Sequence, residues 1–257
     1  MANSIGKFVW YDLMTSDTKA AETFYRNVVG WTAKDSGMAD RSYTLFSAGS
    51  SMVAGLMPIP EDARAMGVPP CWTGYIAVDD VDAFAARVKA AGGSIRRAPS
   101  DIPTIGRFAV AADPHGAMFI LFKGTGMQEP GPAAQTTPGH ISWHELYAGD
   151  LESDWKFYAG LFNWTKGDVM NMGPMGTYQL FSTGAAPVGG MMNKPPQVPV
   201  PFWTYYFNVE AADAAVARVA QGGGKVVNGP VQVPGGSWIV QCIDPQGAFF
   251  AIVGPKR

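Results

Sequence analysis

Residues 8–17 read FVWYDLMTSD and residues 141–150 read ISWHELYAGD. The two decapeptides share a skeleton of Trp, an acid, Leu and a closing Asp, and a chain that writes the same line twice is to be read as a tandem repeat. Trp10, Leu13, Asp17, Phe24, Tyr25 and Trp31 return as Trp143, Leu146, Asp150, Phe157, Tyr158 and Trp164, each 133 residues later. Trp72, Thr73, Tyr75, Val78, Asp82 and Arg87 return 131 residues later as Trp203, Thr204, Tyr206, Val209, Asp213 and Arg218. At that same spacing Asp113, Pro114 and Gly116 become Asp244, Pro245 and Gly247. Elements align while loops differ. Between the copies, GTGMQEPGPAAQTTPG (124–139) has no hydrophobic periodicity and reads as a linker. We therefore expect one domain over 1–123, a linker over 124–138 and a second domain over 139–257.

Each copy is itself a doublet. FVWYDLMT is strand-like, and Asp17 is placed to cap a helix whose Ala20, Ala21, Phe24 and Val28 share a face before Gly30. Short strands follow at WTAKD, YTLFSAG and MVAGLM. The order restarts at WTGYIAV, where Asp79 is expected to cap a helix carrying Val81, Phe84, Ala85 and Val88 and ending at Gly92 and Gly93. Strands at SIRRA, GRFAVAAD and AMFILFK close the copy. The predicted pattern is βαβββ, four times over.

Composition bounds the function. A chain of 257 residues, 47% apolar with a formal charge of −2, can bury real cores. Without Lys/Arg runs it offers no footprint for nucleic acid or an anionic membrane. MANSIGKFVW lacks the features of a secretory leader, and the longest apolar runs are too short to span a bilayer. The expected protein is soluble and cytoplasmic. Cys71 and Cys242 lie singly in strand-like runs and read as small buried hydrophobes.

Paired βαβββ units, a strand closing in Asp before a helix that carries FY and then GW, and a D-P-x-G turn before the last strand resemble the vicinal-oxygen-chelate superfamily. That group includes glyoxalase I, extradiol dioxygenases, fosfomycin-resistance enzymes and bleomycin-binding proteins. The resemblance implies an α+β fold of tandem glyoxalase-like domains, two cupped mixed sheets with helices on their outer faces. It also implies domain pairing within one chain, with a homodimer as the alternative. The W-x-[DE]-L opening looks closest to a tandem branch labelled glyoxalase-like or hydroxylase-like. Metal-dependent members place His, Gln or Glu ligands at positions that fall here on Trp10 and Trp143, Thr73 and Thr204, Ile120 and Ala251, and near Val53 and Val188. Indole and aliphatic groups cannot ligate a divalent cation, so we expect the fold without its metal or any other cofactor. In PGHISWHEL, strand alternation turns His140 and His144 away from Glu145, onto the outer sheet surface.

The same alternation points Trp10, Asp12, Met14, Thr73, Tyr75 and Ile120 into one cup. It points Trp143, Glu145, Tyr147, Thr204, Tyr206 and Asn208 into the other. The result is an aromatic wall with one carboxylate per domain, suited to a small flat ligand. A buried acid needs a partner, and Tyr75 for Asp12 or Tyr206 for Glu145 is the expected one. Methionines in GDVMNMGPMG suggest either a lid or a gap filler. Four readings stay open: a metal-free binder of an aromatic or apolar molecule, a cofactor-independent isomerase- or hydroxylase-like enzyme using Asp12 or Glu145, a metal lyase or dioxygenase with unusual ligands, and an interaction scaffold with filled cups.

Overall fold

The computed structural model describes residues 4–38, 41–126 and 136–257; most of the expected linker, 127–135, lies outside the described residues. The first copy runs β1 (Phe8–Thr15), α1 (Thr18–Val29), β2 (Thr32–Asp35), β3 (Thr44–Ala48) and β4 (Ser51–Pro58). A short helix α2 (Glu61–Ala65) leads to β5 (Cys71–Ala77), α3 (Val81–Ala90), β6 (Ser94–Ile102), β7 (Gly106–Ala112) and β8 (Met118–Gly124). The second copy runs β9 (Ile141–Ala148), α4 (Leu151–Phe162), β10 (Thr165–Asn171), β11 (Thr177–Ser182) and β12 (Pro187–Asn193). It closes with β13 (Phe202–Asn208), α5 (Ala212–Gln221), β14 (Lys225–Gln232), β15 (Trp238–Ile243) and β16 (Phe249–Gly254). The βαβββ pattern thus occurs four times, and the fold is α+β. Each copy forms an eight-stranded mixed sheet, ordered β2-β3-β4-β1-β5-β8-β7-β6 in the first and β10-β11-β12-β9-β13-β16-β15-β14 in the second. No helix among the described residues is long and apolar enough to cross a membrane.

Local chemistry sets the element ends. Asp17 accepts a hydrogen bond from Ala20 N at 3.0 Å, and Gly30 closes α1 in the left-handed region at φ 88°. Ala21, Phe24, Tyr25 and Val28 of α1 are buried, as the helical spacing requires. In the second unit the cap is Asp80, which accepts from Ala83 N at 2.9 Å, rather than Asp79. The helix simply begins one residue later than the apolar spacing alone suggested.

By contact the chain divides into two compact units, each joining halves of both copies: 10–72 with 204–257, and 73–126 with 144–203. In the first of these, Tyr25, Trp31, Phe46, Trp72, Phe207 and Phe250 form the aromatic core. Within it Trp72 Nε1 donates to the Tyr25 hydroxyl oxygen at 2.9 Å, and that hydroxyl donates to Asp244 at 3.0 Å. The other unit repeats this with Trp203 Nε1 donating to Tyr158 at 2.9 Å and Tyr158 donating to Asp113 at 3.1 Å. The other carboxylate oxygen of Asp113 accepts from the amides of His115, Gly116 and Ala117, which shapes the D-P-x-G turn. The tyrosine of the FY motif in one copy therefore completes the aspartate of the D-P-x-G motif in the other. Burial pushes the Asp113 carboxyl up to about 6, helped by Asp154 nearby, while its hydrogen bonds act in the opposite sense.

Candidate functional site

β1 presents two faces. Leu13 is fully buried under the helix side, whereas Trp10 and Met14 are half-buried and Asp12 is buried on the opposite face. Asp12 pairs with Gly55 on the parallel neighbour β4, and Gly55 pairs in turn with Leu45 on β3. A Cβ at Gly55 would run into both the Tyr43 hydroxyl and Asp12 Oδ1, so glycine is what lets the phenol lie over the sheet and reach the carboxylate. Tyr43 donates to Asp12 Oδ1 at 2.7 Å. The Trp10 indole N–H is shared between Asp12 Oδ1 at 3.0 Å and the Tyr43 oxygen at 2.8 Å. Burial, then the Asp12 charge, holds the Tyr43 phenol well above its ordinary pKa, so it stays a neutral donor.

The second copy builds the same device in the other unit. Glu145 pairs with Gly190, and Gly190 pairs with Leu180. A Cβ at Gly190 would strike the Tyr178 ring, and Tyr178 donates to Glu145 Oε2 at 3.0 Å. Both side chains are buried here. Neither Tyr43 nor Tyr178 was expected as a site residue. The signal was present as YTLF (43–46) against YQLF (178–181), 135 residues apart, a third spacing beside the 133 and 131 that align the rest.

The other expected residues are distributed by strand pairing. Tyr75 and Ile120 face each other across β5 and β8, and Tyr75 packs edge-on against Phe122 at 5.6 Å. Thr73 is buried beside them in sequence. Tyr206 accepts from Gln241 Nε2 at 3.2 Å across the small Ala251, which pairs with both. Asn208 accepts from Ser142 Oγ at 2.8 Å and donates to the Thr137 carbonyl at 3.1 Å, tying down the entry to β9. Thr204 is fully buried. Tyr147 is buried against Phe202 at 5.2 Å, and Trp143 is half-exposed. Tyr75 belongs to the unit that does not hold Asp12, and Tyr206 to the unit that does not hold Glu145.

The profile of the Glyoxalase/Bleomycin resistance protein/Dioxygenase superfamily matches residues 7–121 and again 137–252. The chain belongs to this superfamily. CFP32 of Mycobacterium bovis, provisionally named a glyoxylase, is 34% identical over 249 residues, covering 96% of this chain and 94% of that protein. The anthracycline biosynthesis protein DauV of Streptomyces sp. is 33% identical over 262 residues, covering 96% of this chain and 93% of that protein. Among solved structures, a Mn(II)-bound glyoxalase from Novosphingobium aromaticivorans has a TM-score of 0.67 at 18% identity, with 99% of this chain and 83% of that one covered. The 2,3-dioxygenase LapB from Pseudomonas sp. has a TM-score of 0.62 at 14% identity, with 96% and 91% covered. At these identities the structural likeness speaks for the superfamily fold alone.

Superfamily members that use a metal need convergent His, Gln or carboxylate donors, and the side chains at the corresponding positions Trp10, Trp143, Ile120 and Ala251 do not supply them. Trp10 spends its N–H on Asp12 and Tyr43 and has no lone pair to give. Ile120 and Ala251 carry no donor atom. Among the described residues no three of His, Cys, Asp and Glu come together. His144 is not on an exposed outer surface as expected: it is buried, stacked on Phe8 at 4.0 Å and 9°, with Nδ1 2.8 Å from the Val188 carbonyl. A carbonyl only accepts, so Nδ1 carries the proton; burial brings the ring down to about 4, and it remains neutral. His140 lies 3.3 Å from the Pro138 carbonyl through its own Nδ1.

Proposed function

We propose that this superfamily member binds a small, flat aromatic molecule without a metal, stacking it on the Trp10 face and orienting it at the Asp12 and Tyr43 anchor. The observation that carries the reading is a buried carboxylate on the face of β1 opposite Leu13, closed by a phenol over a glycine and flanked by a half-exposed indole. Two donors on one oxygen stabilise the carboxylate as an anion and blunt it as a proton acceptor. Aromatic faces with a few fixed polar groups are the usual make-up of small-molecule sites. The relatives named for anthracycline biosynthesis support a fused-ring aromatic ligand.

Tryptophan fluorescence titrated with naphthols, catechols and anthraquinones tests this. We expect saturable quenching by at least one ring system, much reduced in Trp10→Phe. Absence of saturable quenching across the panel, or stoichiometric zinc, iron or manganese retained by the purified protein, overturns it. If a bound compound is turned over and Asp12→Asn abolishes turnover while leaving binding intact, the protein is an enzyme that uses this carboxylate.

A further inference from the structure

Within one compact unit, the turn between β7 and β8 of the first copy meets the start of α4 in the second, and it meets it through charge. Asp154 of α4 is fully buried. Its Oδ2 accepts from Gly149 N at 3.0 Å and, at 3.5 Å, from Asp150 N, while Oδ1 lies 2.7 Å from Nδ1 of His115 in the D-P-H-G turn. A carboxylate accepts, so Nδ1 carries a proton in either charge state of the ring. His115 is exposed, and the ring can exchange its second proton with solvent. A Cβ at Gly149 would run into the His115 side chain, so glycine is what lets the turn close on the corner between β9 and α4. The other copies of these positions hold Gln246, Ala21 and Ser16 in place of His115, Asp154 and Gly149. The imidazole and its carboxylate are thus an addition to the shared design.

Asp113 acts on His115 from its own turn, Asp150 and Asp154 act on it from α4, Lys156 acts on Asp150, and the end of α3 brings Gly92 beside Pro114. With His115 protonated and Asp113 neutral, a cation lies against Asp154 and no charge on Asp113 opposes it. With both deprotonated, two neighbouring carboxylates repel and the cation is gone. We propose that this joint is a proton-operated latch: proton uptake at His115 and Asp113 tightens the hold of the first copy's turn on the β9–α4 corner of the second, and proton loss loosens it. The corner closes β9, the strand of Trp143, Glu145 and Tyr147, so the latch steadies that strand's end.

The direction agrees at both groups. The hydrogen bond to Asp154, more than the surrounding charges, raises His115 above its ordinary pKa against a desolvation effect, and burial with Asp154 raises Asp113 to about 6. A group that holds its proton more tightly when folded contributes stability that is fully present below its unfolded pKa and lost as pH rises through the folded one. The latch therefore loosens from about pH 6 upward.

Hydrogen exchange at the Gly149 amide of the full chain, corrected for the intrinsic pH dependence of exchange, tests this together with an NMR titration of the His115 ring. We expect protection to fall about tenfold between about pH 5 and pH 8, the size of one pKa unit, and by no more than about threefold in His115→Gln, which puts in the residue of the other copy. Asp154→Asn, which keeps an acceptor and removes the charge, should lower the pKa of the His115 ring. Thermal melts report whether each variant is folded, and the wild-type measurement stands without them. Protection in the wild-type protein that is unchanged or higher at pH 8, a full tenfold fall in folded His115→Gln, or a ring pKa unmoved in folded Asp154→Asn would overturn the inference.

Discussion

Replacing Tyr158 by Phe removes one oxygen and keeps the ring. The ring's packing survives, since it stacks on Trp164 at 5.3 Å and 7° and meets Phe119 edge-on at 5.6 Å. What is lost is the link between Trp203 and Asp113, both buried. The indole N–H and one carboxylate oxygen each lose a partner where water does not reach. At about 1–3 kcal/mol per unsatisfied buried group the expected destabilisation for the two groups is ~2–6 kcal/mol, a large share of an ordinary domain's stability. Charge adds a pH signature. The Asp113 carboxyl titrates at about 6 in the folded protein, above its unfolded value, so its contribution to stability is fully present below the unfolded pKa and is lost as pH rises through about 6. The Tyr158 bond opposes that shift by supporting the anion, so removing it should cost more at pH 8, where Asp113 is charged, than at pH 5, where it is largely neutral. Urea denaturation at both pH values, followed by tryptophan fluorescence and far-ultraviolet circular dichroism, measures both effects. A Tyr158→Phe protein within about 0.5 kcal/mol of wild type at pH 8, the range of an inconsequential surface change, would refute the reasoning.

Two further outcomes follow from the same geometry. Gly55→Ala forces its methyl group against the Tyr43 hydroxyl and Asp12, and should cost about 1–3 kcal/mol in denaturant unfolding as well as weakening aromatic binding; an unchanged midpoint with unchanged binding would contradict the crossover over this glycine. His144 has a folded pKa of about 4, below its unfolded value near 6.5, so its contribution is present above about 6.5 and lost as pH falls towards 4. His144→Phe should therefore flatten the acid limb of the stability profile between about pH 6.5 and 4, and an acid limb identical to wild type would show that another group dominates it.

Much of the architecture was legible along the chain. The repeated Trp, acid, Leu and Asp line, the strand period of two and the FY face of α1 are local signals, and they led to four βαβββ units and to the right superfamily. The placement of Asp12 and of Leu13 on opposite faces of β1 followed from alternation and is what the structure has. Alternation gives a face but not a neighbour. Tyr75 was the expected partner of Asp12 because both were assigned to cup faces of first strands; Tyr43 closes on Asp12 because register sets a glycine between them, and register is a property of three strands together. His144 was rightly turned away from Glu145, but its burial depends on Phe8, 136 positions earlier in the chain.

The sequence by itself determined that the protein is a duplicated α+β chain whose two first strands each carry a tryptophan followed two residues later by an acid, Trp10 with Asp12 and Trp143 with Glu145. Those features depend on periodicity, capping and residue chemistry, all of which act within a few residues. Tertiary structure alone decided that each D-P-x-G aspartate is completed by a tyrosine of the other copy, and that Asp12 is held by a phenol crossing a glycine. Those choices are made by contacts between distant segments, where the cost of an unpartnered buried polar group selects one packing from the many that the local pattern permits.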